Sequence, residues 1–203
     1  MADKFTFQGL FHILGLYLDK IERAFRLDSK DLLRVYRERA IGCNERGAHD
    51  MAITLCHKAI GLNGDDVEVQ YQLGVAYMGK KLDEEAISSF QKVLKLDADR
   101  ASAHFRLGVL YERAAALDKA IASYKNAIKR KTDKAEFHYC LGIAQDKNND
   151  HKRAVDSLTK ATQLAPNVAK YHYRVGLLYD GQGQHNKAVE AFKKAVEAEE
   201  AGG

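Results

Sequence analysis

Four short phrases recur along this chain at a fixed step of 34 residues: YQLGVAY (71–77), FRLGVLY (105–111), YCLGIAQ (139–145) and YRVGLLY (173–179). A sequence with one period over most of its length cannot gather into a single central core. Each unit must bury its apolar face against the units beside it. Gly74, Gly108, Gly142 and Gly176 hold the register without insertion, and Ala86, Ala120, Ala154 and Ala188 keep the same step, with Ala52 one unit earlier. A third column reads Phe90, Tyr124, Leu158 and Phe192, with Cys56 as its smaller member, and a fourth reads Ala59, Val93, Ala127, Ala161 and Ala195.

Each unit parses as two helices. In 67–80 the residues Val67, Tyr71, Val75 and Met78 recur at helical spacing, as do Leu73, Ala76 and Tyr77. In 83–96 the same holds for Ala86, Ile87, Phe90, Val93, Leu94 and Leu96. A short polar turn joins the two, and LDAD or LAPN stops the second. Columns of glycine and alanine facing large residues let neighbouring helices approach closely while the large side chain fills the remaining volume.

A helix–turn–helix unit of this length and pattern resembles the tetratricopeptide repeat family. The signature positions are matched by Leu73, Gly74, Tyr77, Ala86, Phe90 and Val93 and by their counterparts one period on. The resemblance implies an all-α solenoid, a right-handed superhelix of five repeats at 33–66, 67–100, 101–134, 135–168 and 169–202, preceded by a hydrophobic helix or partial repeat over 1–32. The first repeat departs from the pattern, with Ala40 in the glycine column and Arg37 in the aromatic one, and the family's closing proline survives only as Pro166.

Little in the sequence points to catalysis. There is no phosphate loop, GxSxG elbow, HExxH or CxxC pair, and DGQGQ (180–184) joins two helices without a preceding strand. The expectation is a protein that is not an enzyme and has no catalytic residue, cofactor or metal. Two histidine columns, His104, His138 and His172 and then His49, His151 and His185, raise the idea of a metal ladder. Ligands must converge on one ion, however, and equivalent residues of stacked repeats stand a full repeat apart. They read better as amphipathic rings between repeats.

A net charge of +4 from 32 basic and 28 acidic residues is well mixed and excludes a nucleic-acid binder with clustered cations. Cys43, Cys56 and Cys140 are unpaired in spacing, which suits a reduced, cytoplasmic compartment. No apolar run is long enough to span a bilayer, and the N-terminus lacks the form of a secretory signal. The basic stretch KNAIKRKTDK (125–134) reads as cations at a helix C-terminus, with an anionic surface as a second use.

In the family the first helix of each repeat lines a concave groove. By that resemblance the partner-binding wall is Tyr71, Phe105, Tyr139 and Tyr173, followed by Ile41, Val75, Val109, Ile143 and Leu177, with Asn44, Glu112, Asp146 and Asp180 as an acidic edge. The family's carboxylate clamp needs Lys, Arg and Asn at the first two columns, where this chain has aromatic and aliphatic residues. The groove therefore suits an apolar helix or peptide, unless the aromatics pack on their own neighbours.

FQGLFHILGLYL (7–18) is far more apolar than the remainder. Read as a helix over 7–27, it sets Leu10, Ile13, Leu14, Tyr17, Ile21, Ala24 and Phe25 on one stripe, widened by Phe7, Phe11 and Leu18. Such a helix must leave water. It can cap its own first repeat, dock into a neighbouring molecule, or lie in a membrane surface. The expected self-assembly residues are Phe7, Leu10, Phe11, Leu14, Tyr17, Leu18, Ile21 and Phe25.

AFRLDSKDLLRVYRERAIGCNERGAHDMAI (24–53), with five repeats behind it, resembles the magnetosome-associated branch of the family. That resemblance implies a scaffold, peripheral on the cytoplasmic face of the magnetosome membrane, that forms homo-oligomers and recruits other magnetosome proteins. The alternative is a monomeric bacterial adaptor holding a client peptide or helix in its groove.

Overall fold

A helix start leaves backbone donors unpaired, and Asp28 takes two of them: its carboxylate accepts from the N–H groups of Lys30 and Asp31 at 2.9 and 2.8 Å. From that cap the computed structural model, which describes residues 28–201, runs as ten α-helices, and no strand occurs among the described residues. They are α1 (Ser29–Glu45), α2 (His49–Leu62), α3 (Val67–Gly79), α4 (Asp83–Leu96), α5 (Ala101–Arg113), α6 (Leu117–Arg130), α7 (Ala135–Lys147), α8 (His151–Leu164), α9 (Ala169–Gly181) and α10 (His185–Glu200). The first helix begins ahead of residue 33, where the periodic frame opens.

Every odd-numbered helix ends in the same way. The N–H of Ala48 bonds to the carbonyl of Cys43, and Leu82 to Tyr77, Ala116 to Tyr111, Asp150 to Gln145 and Gln184 to Tyr179 follow at 2.8–3.0 Å. Each bond is the longer one of a Schellman cap, which needs one left-handed residue just before it. That residue is Gly47 (φ 74), Lys81 (φ 61), Ala115 (φ 56), Asn149 (φ 59) or Gly183 (φ 71), again 34 apart. The turn between paired helices is therefore fixed by geometry even where its residue changes.

The longer connections are held by histidines. The Nε2–H of His104, His138 and His172 reaches back six residues to the carbonyls of Ala98, Thr132 and Pro166, at 3.2, 3.2 and 2.8 Å. Burial, ahead of nearby cations, holds His104 and His138 below the ordinary 6.5. The unfolded chain then binds these protons at a higher pH than the folded one. Their contribution to stability is complete above 6.5 and is lost as pH falls through that value toward the folded ones. Denaturation curves over a pH series should show this loss in the natural protein, and a flatter acid limb in the His104→Gln/His138→Gln variant.

The chain divides into two compact units between Ala86 and Ile87, inside α4. In the first, Tyr36, Ala40 and Cys43 of α1 pack with Ala52, Leu55, Cys56 and Ala59 of α2 and with Val69, Leu73 and Ala76 of α3. Arg37, the residue that breaks the aromatic column, donates from Nη1 to Asp66 Oδ2 at 3.2 Å. Asp66 also caps α3 through the N–H of Val69 at 2.9 Å, so the departure from the repeat serves the join between α2 and α3.

In the second unit the glycine column meets the column of large residues, as the spacing requires. A Cβ on Gly108 would lie 2.5 Å from the Tyr124 ring, one on Gly142 2.6 Å from Leu158 Cγ, and one on Gly176 2.5 Å from the Phe192 ring. Close approach of paired helices is thus bought by an absent side chain, and Tyr124 and Leu158 fill the gap with no exposure at all.

Candidate interaction surfaces

The eight expected groove residues are shared between the two units. Tyr71 and Val75 lie half-buried on α3 in the first unit, and the other six lie on α5, α7 and α9 in the second. Phe105 is corrected to a core residue: it is 7% exposed, stacks on Phe137 at 4.6 Å between centroids and stands 5.7 Å from the Tyr124 ring. The reason is its neighbour. The third position of the next repeat supplies a ring, and burying both aromatic faces removes more apolar area from water than exposing one.

Tyr139 makes the corresponding contact with Tyr171 at 4.8 Å, and the ammonium of Lys170 sits over both rings at 5.5 and 5.4 Å. Val109 and Ile143 are half-buried, while Tyr173 and Leu177 remain exposed at 54% and 38%. Among the expected groove residues, the exposed ones are therefore the two on α9. The expected self-assembly residues, Phe7, Leu10, Phe11, Leu14, Tyr17, Leu18, Ile21 and Phe25, lie outside the described residues, as does most of the segment 1–32.

The acidic edge is already occupied. Glu112 accepts from the Tyr124 hydroxyl at 2.9 Å and from Lys147 Nζ at 2.7 Å. Asp146 takes Arg174 Nη2 and His151 Nδ1, both at 2.9 Å, and Asp180 takes His185 Nδ1 at 2.8 Å. Asn44 plays the same part in the first unit, donating to the carbonyl of Gln72 at 2.9 Å. Asn44, Glu112 and Asp146 tie one repeat to the next, whereas Asp180 bonds within its own repeat. Sequence reasoning missed that role because the partners stand 5, 12 or about 30 residues away, and only the histidine five residues on recurs between repeats.

Beside Arg174 a cleft of about 170 Å³ is lined by Asp146, His151, Leu177, Leu178, Gly181 and Gln182. The Nε–H of Arg174 is buried there without a hydrogen-bond partner. Of the basic stretch 125–134, Arg130 is engaged by the Ala98 carbonyl at 2.8 Å and by Asp99 at 3.2 Å. Lys125 and Lys129 line an open cleft with Lys160 and His138.

The histidine columns have structural partners, and among the described residues no three His, Cys, Asp or Glu side chains gather as a metal site. The thiols of Cys56 and Cys140 are poor nucleophiles where they stand. Burial, then the neighbouring Cys43, pushes Cys56 up to about 12, and burial followed by Glu136 and Glu112 does the same to Cys140. Their thiolate fraction near pH 8 is about a thousandfold below that of a thiol at 9.0. Ellman's reagent should leave Cys56 and Cys140 unlabelled in the native protein and label both in denaturant. Rapid native labelling of either would contradict their burial.

Among the described residues no helix is long and apolar enough to cross a membrane. A family profile described as "Tetratricopeptide repeat" matches residues 67–100, 135–168 and 169–201, and one described as "TPR repeat" matches 116–149. Together they cover more than half of the chain. The crystal structure of MamA is 31% identical with a TM-score of 0.75, the likeness covering 80% of this chain and 95% of that one. MamA from residue 41 to its end, from Desulfovibrio magneticus RS-1, is 26% identical with a TM-score of 0.78 over 84% of this chain and 97% of that one. YrrB, a TPR protein with an unusual peptide-binding site, shares the fold at 20% identity and a TM-score of 0.69, over 80% and 84% of the two chains. No curated protein sequence matches the chain. The chain belongs to the tetratricopeptide repeat family, an all-α solenoid scaffold for protein–protein interaction that resembles MamA over most of its length.

Proposed function

We propose that the chain assembles with copies of itself into a coat on the cytoplasmic face of the magnetosome membrane and there recruits other magnetosome proteins. The observation that supports this best is the likeness to MamA, which extends through nearly all of that protein's solved chain. The exposed rings and aliphatic side chains of α9 and α10 supply apolar surface for the contact between copies. Attachment to the membrane is peripheral and runs through partner proteins. The chain carries its work in contacts alone, without catalysis.

The test is fractionation of magnetosome-forming cells that carry a tagged chain. It is expected with the isolated magnetosomes, released by high salt without detergent. Recovery in the supernatant alone would contradict the coat.

A second reading, a monomeric adaptor for a client peptide, is favoured by the cleft beside Arg174. An apolar side chain of an incoming peptide would rest on Leu177 in that cleft. It requires Leu177→Asp to abolish client capture without altering the size of the protein in solution.

A further inference from the structure

One opening recurs in two consecutive repeats of the second unit. Between α6 and α8, with α7 packed against both, lies a cleft of about 420 Å³. Ile128 and Leu141 give it an apolar lining, and Lys125, Lys129 and Lys160 supply its cations. One period on, between α8 and α10, a cleft of about 290 Å³ has Thr162, Val175, Thr159 and Lys194 at the matching positions. The pair of clefts is therefore a product of the repeat, and what distinguishes them lies in the residues that vary.

The difference is in charge. In the second cleft both lysines are engaged. Lys194 Nζ meets Glu190 Oε1 at 2.9 Å, and Lys187 donates to Gln184 Oε1 at 2.8 Å with its ammonium 5.5 Å from the Tyr179 ring. In the first, Lys125 and Lys129 occupy the positions of Thr159 and Gln163, one turn apart on α6, and Lys160 lies on α8. None of these three has a hydrogen bond or ion pair among the described residues, and neither has Asp156, the one carboxylate on the lining. Three like charges around one apolar recess repel each other, and an anion placed there would attract all three.

Shape and lining select the anion. A bilayer surface is broad and flat, whereas these lysines border a recess between two helices. Nucleic acid calls for rings on which bases stack, and among the described residues no aromatic side chain lines the cleft. An acidic peptide answers both features. An aliphatic side chain can rest on half-buried Ile128 while carboxylates on either side reach the lysines. We infer that the cleft between α6 and α8 docks an acidic segment of a partner protein, with one aliphatic anchor seated on Ile128 and carboxylates paired to Lys125, Lys129 and Lys160. This rests on the recruiting role proposed above and gives it a site and a partner chemistry.

The test uses the 203-residue chain and a fluorescein-labelled peptide, DELED, read by anisotropy at low ionic strength. DELED is expected to bind, and to bind more weakly as salt is added. NQLQN and DESED, which lack the charges or the anchor, should bind about tenfold more weakly or not at all. Lys125→Glu/Lys129→Glu/Lys160→Glu changes three side chains that stand in solvent. It should keep the melting temperature and weaken DELED binding by about tenfold or more. Lys194→Gln, in the second cleft, should leave binding unchanged. A carbodiimide should join DELED carboxylates to the amines of Lys125, Lys129 and Lys160 in the natural protein. Absence of DELED binding, equal binding of DESED, equal binding by the triple variant or crosslinks to other lysines would each overturn the docking cleft. So would a result in which these lysines are needed for phosphatidylglycerol vesicles or duplex DNA and not for DELED. All of these leave the scaffold reading standing, which magnetosome fractionation tests separately.

Discussion

Replacing Phe105 with alanine is expected to lower the unfolding free energy by about 3–5 kcal/mol, the usual cost of emptying a buried aromatic site. The ring is 7% exposed, and it is clasped between Phe137 at 4.6 Å and Tyr124 at 5.7 Å. Both neighbours are themselves in the core and Tyr124 is pinned by its bond to Glu112. The cavity therefore cannot close by a simple collapse. Urea denaturation of the full chain measures the effect. A loss under about 1 kcal/mol would return Phe105 to the exposed wall on which its column first places it. In that case its removal would weaken a partner and spare the fold.

Gly108→Ala is the second large effect, and its sign carries the information. Helix propensity alone favours alanine over glycine by about 1 kcal/mol. Against this, the new Cβ would stand 2.5 Å from Cε1 and 2.6 Å from Cδ1 of Tyr124, a ring with no exposed surface. Overpacking of a held neighbour costs about 1–3 kcal/mol or more, so a net loss of about 2 kcal/mol is expected at this site. Gly61 in α2 is the control, since a Cβ there meets nothing within 4 Å. Gly61→Ala should raise stability by up to about 1 kcal/mol. If both substitutions stabilise, the close approach of α5 and α6 is wrong.

These two positions also show what the sequence can and cannot disclose. The glycine at 108 and the ring at 124 were legible as facing columns, because the demand for a small residue opposite a large one is local and recurs in every unit. Phe105 was not, because its environment is set by the third position of the following repeat. That position is Ala103, Phe137 or Tyr171 in different units, and the same column therefore meets a different neighbour in each. The acidic edge shows the same limit. Glu112 on α5 and Asp146 on α7 look like free charges, and only the stack brings Lys147 and Arg174 to them.

The turn between paired helices was invisible for a different reason. Gly47, Lys81, Ala115, Asn149 and Gly183 share a left-handed backbone but no side-chain chemistry. The cap bonds compensate a conformation that costs a non-glycine residue about 1 kcal/mol. In the sequence the histidines at 104, 138 and 172 look like amphipathic rings, and in the structure each ring bonds to a loop carbonyl. Periodicity marks which positions matter, and the contacts decide what each of them does.

Self-association is the claim on which the functional account depends, and sedimentation velocity of the 203-residue chain over a wide concentration range tests it most directly. The account predicts a weight-average mass above the 22.7 kDa of a single chain, rising with concentration, as assembly of copies into a coat requires. A single boundary that stays at 22.7 kDa from the lowest to the highest concentration would contradict it.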